Sequence, residues 1–64
     1  MFRKDVVKKK MDDLGWSQYD LAKKVYVSQP MIAGIMLGYK QPSLQLAARI
    51  ADVLDCTIDE LVEE

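Results

Sequence analysis

Histidine is absent from this 64-residue sequence, and Cys56 is its only cysteine. A structural zinc site needs four Cys or His ligands and a disulfide needs two cysteines, so one chain can form neither. The lack of histidine also excludes a Cys/His catalytic pair. We therefore expect no metal and no other cofactor, and we interpret Cys56 as a small buried apolar residue in a reducing compartment.

Long apolar runs are absent as well. Half of the residues are apolar, but no stretch approaches the roughly 18 consecutive apolar residues of a membrane span. The N-terminal segment MFRKDVVKKK is basic and lacks the apolar core of a signal peptide. We expect a cytoplasmic protein with no membrane partner, folded as one domain over residues 1–64. Such a small core favours further stabilisation by dimerisation or by good helix packing.

Basic and acidic residues are separated along the chain, although the net charge is only −1. Residues 1–44 contain eight lysines and arginines and four acidic residues, whereas residues 45–64 contain one arginine and six acidic residues. The basic part favours a polyanionic partner. Solvated helix faces can show the same asymmetry, so both interpretations stay open.

Capping residues predict where the helices begin and end. Ser17 with Asp20, and Thr57 with Glu60, have the spacing of a capping box. The other predicted starts are Ser28, followed by Pro30 in the first turn, and Ser43; the predicted stops are Gly15 and Gly38. Together these signals predict helices over residues 3–14, 18–25, 29–36, 44–54 and 58–63. No segment alternates with a period of two over a useful length, so no strand is predicted.

Apolar residues at helical spacing predict the buried faces. In the first helix they are Val7, Met11 and Leu14; in the fourth they are Leu44, Ala47, Ala48, Ala51 and Leu54, with Ile50 alongside. The second and third helices are joined by only about three residues, which forces a sharp crossing. Ala22 is expected at the closest approach of the two helices, and the angle is expected to be filled by Leu21, Val25, Val27, Ile32 and Ile35.

The segments GWSQYDLAKKV, VSQPMIAGI and GYKQPSLQLAARIADVLDCTIDELV cover nearly the whole chain in this order. In residues and spacing they resemble the Cro and phage-repressor type of helix-turn-helix regulators, the XRE family. The resemblance implies an all-α, compact five-helix lambda-repressor-like domain with a central helix-turn-helix at about residues 18–36. It also implies a bacterial, phage or mobile-element origin.

Four positions depart from the pattern of that family. An arginine in the first helix and a glutamate near the end of the third, which pair in relatives, are here Met11 and Met36. Replacing both members of a buried ion pair by apolar residues can be neutral or stabilising, so we predict a contact between these methionines in the core. Tyr26 stands where relatives have a turn glycine, and a positive φ there would cost about 1 kcal/mol. Asp55 likewise replaces a common glycine, at a smaller cost.

The resemblance implies that residues 29–36 form a recognition helix in the major groove of DNA. The groove-facing positions are Ser28, Gln29, Pro30, Ala33, Gly34 and Leu37, a set with few long polar side chains. Gln29 suits an adenine edge, while Pro30 and Ala33 suit thymine methyl groups. The predicted base contacts are Ser28, Gln29, Pro30 and Ala33, and the predicted contacts to the DNA backbone are Ser17, Gln18, Tyr39, Lys40 and Gln41.

These expectations describe a sequence-specific transcriptional regulator that binds an operator on double-stranded DNA as a homodimer. The residues assigned to the dimer interface are Leu54, Cys56, Ile58, Leu61 and Val62, with closure of the core of a single chain as the alternative role. The rival hypothesis is a protein-binding adaptor or antirepressor that uses PMIAGIML as an apolar surface. An enzyme is not expected, since neighbouring carboxylates such as Asp12 and Asp13 point to different sides of a helix. Because the chain ends soon after the predicted fifth helix, we expect neither a ligand-sensing domain nor a small-molecule ligand.

Overall fold

The computed structural model describes residues 1–63. It contains five helices: α1 Lys4–Leu14, α2 Gln18–Lys24, α3 Gln29–Leu37, α4 Leu44–Val53 and α5 Ile58–Leu61. The all-α prediction is confirmed, and each predicted helix ends within two residues of the observed one. The largest difference is at α5, where Val62 is extended with φ of −120° and ψ of 119°. Residue 64, the last of the predicted domain, lies outside the described residues.

The two ends of the described chain pair with each other, which the sequence did not predict. Phe2 and Val62 form an isolated antiparallel bridge. The Arg3 N–H donates to the Leu61 carbonyl at 2.6 Å, the Glu63 N–H donates to the Met1 carbonyl at 2.8 Å, and the Met1 ammonium donates to the Glu63 carbonyl. We call residues 1–3 and 61–63 the terminal bridge. It fixes α5 against the start of α1.

The helix starts follow the predicted caps. The Ser17 hydroxyl accepts a hydrogen bond from the Asp20 N–H at 3.1 Å, and the Ser17 N–H donates to the Asp20 carboxylate at 2.8 Å. At the fifth helix the Thr57 N–H donates to the Glu60 carboxylate at 2.9 Å. The hydroxyls of Ser28 and Ser43 also accept from backbone N–H groups three residues on, at 3.2 and 3.1 Å. Each bond satisfies a donor that the first turn of a helix leaves unpaired.

The core takes side chains from all five helices. The completely enclosed side chains include Val7, Leu21, Ile32, Ile50 and Leu61. Two predicted faces need correction. Leu14 is 50% exposed. The buried stripe of α4 excludes Leu44 and Ala48; it consists of Leu46, Ala47, Ile50 and Ala51, and Leu54 continues it directly after the helix. This stripe is favoured because it buries Leu46 and Ile50 together, whereas the predicted one would leave Leu46 in water.

Tyr26 lies in the link between α2 and α3 and has a φ of 62°. The φ of Tyr26 is therefore positive, as considered from the sequence: a bulky side chain occupies the left-handed region, where a Cβ crowds the backbone. Asp55 has a φ of 57°, which an Asp side chain tolerates better. Tyr26 is also 86% exposed, so its ring contributes little packing in return.

Tyr26→Gly is expected to raise the free energy of unfolding by about 0.5–1 kcal/mol. The substitution removes left-handed strain of about 1–2 kcal/mol, and the greater freedom of glycine in the unfolded chain offsets part of this gain. Urea and thermal unfolding followed by circular dichroism measure the change. Tyr39→Gly is the control, because Tyr39 is equally exposed but has no positive φ; it should bring no gain. Equal effects of the two substitutions would contradict the strain at Tyr26.

Candidate nucleic-acid interface

The crossing of α2 and α3 fixes the helix that was predicted to enter DNA. Leu21 and Ala22 on α2 are buried, as are Ile32 and Ile35 on α3, and the two helices pack directly on each other. The Val27 N–H donates to the Ala22 carbonyl at 3.1 Å, which closes the link between the helices. α3 is therefore held by one face, and its opposite face remains at the surface.

The outer face of α3 is apolar apart from one amide. Gln29, Pro30 and Leu37 are exposed and Ala33 is half-buried. Ser28 is exposed too, but its hydroxyl oxygen caps the Met31 N–H, which leaves its proton free to donate. The structure thus places all four predicted base contacts at the N-terminal half of one accessible face.

Gly34 was predicted to face the groove together with Pro30, Ala33 and Leu37, but it is buried. The chain after α3 folds back over it: the Tyr39 and Lys40 N–H groups both donate to the Gly34 carbonyl, at 2.9 and 3.2 Å. Tyr39, Lys40 and Gln41 are exposed. Of the five residues predicted to contact the DNA backbone, Tyr39 and Lys40 are therefore anchored to α3 itself, and Gln41 follows them directly.

The start of α2 is already occupied by a carboxylate. The Ser17 hydroxyl donates to the Asp20 carboxylate at 3.0 Å, in addition to the bond from the Ser17 N–H. These hydrogen bonds, the backbone one first, hold the pKa of Asp20 below its ordinary value. Both donors of Ser17 are used and Asp20 is charged at neutral pH, so a phosphate at this position competes with Asp20. Gln18 is half-buried beside it.

The lysines of α1 and the lysine after α3 differ in their neighbours. Lys8 and Lys9 lie 3.4 and 3.8 Å from the carboxylates of Asp12 and Asp13, one turn further along α1. Lys40, by contrast, has no carboxylate oxygen within 4 Å among residues 1–63. The exposed face of α1 thus matches the interpretation as a solvated face, while the charge of Lys40 remains available to an anion.

Two further lysines lie on α2, over aromatic rings. The Lys23 ammonium lies 5.5 Å from the centre of the Tyr19 ring, and that of Lys24 lies 4.6 Å from the Trp16 ring. Sequence reasoning missed a third lysine, Lys4, whose ammonium lies 2.9 Å from the position that a Cβ on Gly38 would take. A cation there complements the negative end of the α3 dipole. Nothing in the sequence signals this contact, because it joins residues far apart in the chain.

Met11 and Met36, which were predicted to meet in the core, both line a surface cleft of about 410 Å³. Met11 is only 4% exposed, but Met36 is half-buried, so the pair lies at the edge of the core. Trp16 and Leu37 extend the apolar lining, and Leu37 is 64% exposed. The cleft adjoins the C-terminal end of α3.

The residues assigned to a dimer interface divide into two sets. Leu54 and Leu61 are 5% and 0% exposed within a single chain, so they fill the alternative role of closing its own core. Cys56, Ile58 and Val62 are half-buried and keep part of their surface. Burial raises the pKa of the Cys56 thiol, which keeps it protonated and unreactive at neutral pH.

Residues 1–63 form neither a metal site nor a membrane span. No group of three or more His, Cys, Asp or Glu side chains is arranged to hold a metal ion in that part of the chain. None of its helices combines the length and the apolar character needed to cross a membrane.

Comparison with known proteins relates the chain to a family and to two regulators. The model of the helix-turn-helix family matches residues 7–61. HTH-type transcriptional regulator AnsR of Bacillus subtilis (strain 168) is 38% identical over 47 residues, which are 73% of this chain and 40% of AnsR. A chain in the solved SinR protein/SinI protein complex matches with a TM-score of 0.85 and 26% identity, over 95% of this chain and 60% of that one. The present chain thus spans less than two thirds of either protein.

Proposed function

Because the chain belongs to the helix-turn-helix family of XRE-type transcriptional regulators, we propose that it binds an operator on double-stranded DNA as a homodimer. In this proposal α3 enters the major groove and reads bases with few polar groups. The observation that carries it is the outer face of α3, which is accessible, packed against α2 on its other side, and flanked by Lys40, whose ammonium has no carboxylate oxygen within 4 Å among residues 1–63. Such a protein acts on DNA in the cytoplasm.

Base reading is assigned to the N-terminal half of α3. Gln29 is exposed in the first turn, where its amide can donate to N7 and accept from N6 of an adenine in a bidentate contact. Pro30 and Ala33 lie beside it and offer apolar contact to thymine methyl groups. Ser28 contributes the hydroxyl proton that its capping bond leaves free. One bidentate reader per subunit is few, so DNA shape is expected to supply part of the selectivity.

Contacts to the sugar-phosphate backbone are assigned to Tyr39, Lys40 and Gln41 after α3 and to Gln18 at the start of α2. Ser17 contributes a contact only where a phosphate displaces the Asp20 carboxylate from its hydrogen bonds. The first three lie in the loop after α3, where the N–H groups of Tyr39 and Lys40 are anchored by hydrogen bonds to the Gly34 carbonyl. Neutralisation of phosphates by lysine releases counterions, so binding should weaken as the salt concentration rises.

The homodimer is proposed because a single copy of the chain is small. The chain measures 28 × 23 × 18 Å, and one copy presents a single short helix to DNA. Two half-sites about one helical turn apart would double the contacts. Cys56, Ile58 and Val62, the half-buried members of the predicted interface, are the residues proposed to meet across the two-fold axis.

The second candidate function is a protein-binding adaptor or antirepressor. It is favoured by the exposed Leu37, which continues into the cleft lined by Met11, Met36 and Trp16. An exposed apolar patch often marks a protein interface. The SinR protein/SinI protein complex is compatible with this alternative without favouring it.

Gln29→Ala and Lys40→Ala separate the two roles assigned to the surface. Gln29→Ala should weaken cognate binding by about 1–3 kcal/mol per half-site and relax the preference at one base pair. Lys40→Ala should weaken binding to all sequences alike and reduce the salt slope by about one per subunit. The measurement is fluorescence anisotropy with the duplex upstream of the protein's own gene and with a scrambled duplex, at low and near-physiological salt.

Matched controls exist on other helices. Gln45→Ala removes an exposed amide from α4, and Lys9→Ala removes a charge from α1; both should bind DNA as the wild type does. Preferred binding of the upstream duplex that persists at the higher salt supports an operator binder. Weak wild-type binding, equal on both duplexes and lost with salt, would contradict specific reading and favour the protein partner.

A further inference from the structure

Gly34 occupies an unusual position for a glycine. The other two glycines, Gly15 and Gly38, end helices with φ of 72° and 88°, a conformation that glycine adopts without strain. Gly34 lies inside α3 and has no positive φ. A glycine inside a helix is destabilising relative to alanine, so its presence requires a reason other than backbone conformation.

The Lys40 side chain supplies that reason. A Cβ at position 34 would lie 3.1 Å from Cδ, 3.2 Å from Cγ and 3.4 Å from Cε of Lys40. The aliphatic stem of Lys40 therefore lies directly across the Cα of Gly34, in the space of a missing side chain. The hydrogen bonds from the Tyr39 and Lys40 N–H groups to the Gly34 carbonyl hold the backbone of the loop in the same place.

This position of the Lys40 stem across Gly34, which we call the Lys40 seat, lies on the face of α3 that is proposed to contact DNA. Pro30, Ala33, Gly34 and Leu37 have the spacing of one helical stripe, and α3 itself, QPMIAGIML, contains no charged residue. Lys40 thus places a positive charge beside α3, which has no charged residue of its own. No carboxylate oxygen among residues 1–63 lies within 4 Å of its ammonium.

We infer that Gly34 is a positioning residue for DNA binding: it seats the Lys40 stem across α3, so that the Lys40 ammonium is held ready for a phosphate beside the groove. This inference rests on the proposed function. A lysine has a flexible stem, and ordering it before binding lowers the entropy lost on forming the contact. A methyl group at position 34 pushes the stem away from this position by a few tenths of an ångström, since distances of 3.1–3.4 Å are shorter than ordinary van der Waals contact.

Gly34→Ala should change stability and binding in opposite directions. The melting temperature should rise, because alanine favours a helix more than glycine does. DNA affinity should fall about three- to tenfold for both the upstream and the scrambled duplex, with a lower salt slope, as expected for a weakened phosphate contact. In a Lys40→Ala background the same substitution should still raise the melting temperature but leave DNA affinity unchanged.

A structural readout in the free protein accompanies the binding cycle. Nuclear Overhauser contacts between the Gly34 α-protons and the Lys40 side-chain methylenes should be strong in the wild type, and the corresponding contacts should be weaker in Gly34→Ala. Ala48→Gly, at an exposed position of α4, is the control for a glycine–alanine difference that alters helix stability without altering DNA affinity.

Three results would overturn the inference. Wild-type affinity in Gly34→Ala would show that Lys40 needs no seat. An equal loss of affinity with and without Lys40 would show that the added methyl group meets DNA directly. Absence of wild-type binding to either duplex would remove the proposed function and this inference with it, whereas the first two results leave the proposed function intact.

Discussion

Replacing Leu61 with alanine is expected to unfold a large fraction of the molecules at room temperature. Leu61 is 0% exposed and lies at the end of α5, which packs against α1 and α4. Truncating such a leucine costs about 2–5 kcal/mol, since it loses apolar burial and leaves a cavity. A domain of this size has a total stability of only about 3–10 kcal/mol, so the loss is of the same order as the whole.

Leu44→Ala provides the matched control for Leu61. Leu44 is 72% exposed, and its truncation should change the free energy of unfolding by less than about 0.5 kcal/mol. Urea unfolding at several protein concentrations measures both variants. A loss for Leu61→Ala that is the same at every concentration indicates a role in the core of one chain. A variant that unfolds like the wild type but associates more weakly would instead place Leu61 in an interface between chains.

Ala22→Leu is expected to destabilise the domain and to abolish specific DNA binding. Ala22 is 2% exposed at the crossing of α2 and α3, and its carbonyl accepts the Val27 N–H. Three extra carbon atoms in a filled site force neighbouring side chains or the backbone to move, at a typical cost of about 1–3 kcal/mol. The movement available is a separation of α3 from α2, which changes the orientation of the proposed recognition helix.

Ala48→Leu is the control, because Ala48 is exposed on α4 and has room for a larger side chain. Thermal unfolding gives the loss of stability, and anisotropy well below the melting temperature gives the binding of the folded fraction. Ala22→Leu should lose binding even where it is fully folded. A folded variant with wild-type affinity would mean that the angle between α2 and α3 is not set at Ala22.

The helices were predictable because their signals are local. Ser17, Ser28 and Ser43 each cap a backbone N–H only three residues away, and such contacts depend on little outside the segment. The choice between overlapping apolar stripes in α4 is not local. Leu44 and Leu46 are both leucines near the same helix end, and the rest of the core decides which one is buried.

The terminal bridge was missed for a related reason. It joins residues 1–3 to residues 61–63, and segments of this length are too short to show the alternation that identifies a strand. Nor does either segment carry a turn signal that would point to its partner. Pairing between distant segments depends on the completed helical core, which brings the two ends together.

The sequence predicted which residues of the candidate site are exposed better than it predicted how they pack against each other. The exposure of Gln29 and Lys40 agrees with the prediction that they are surface residues, because position along a helix and in a loop largely determines it. Gly34 was expected at the surface with them, but the loop that follows α3 covers it. That cover depends on how the backbone turns after Gly38, which the identity of Gly34 does not reveal.

The terminal bridge also determines how the domain responds to mechanical force. Met1 and Glu63 lie side by side, so tension on the two ends loads the bridge as a zipper, in which bonds break one after another and never share the load. The bonds between Met1 and Glu63 open first, followed by the bond between Arg3 and Leu61. The force then reaches α5, while the crossing of α2 and α3, distant in sequence from either end, is still unstretched.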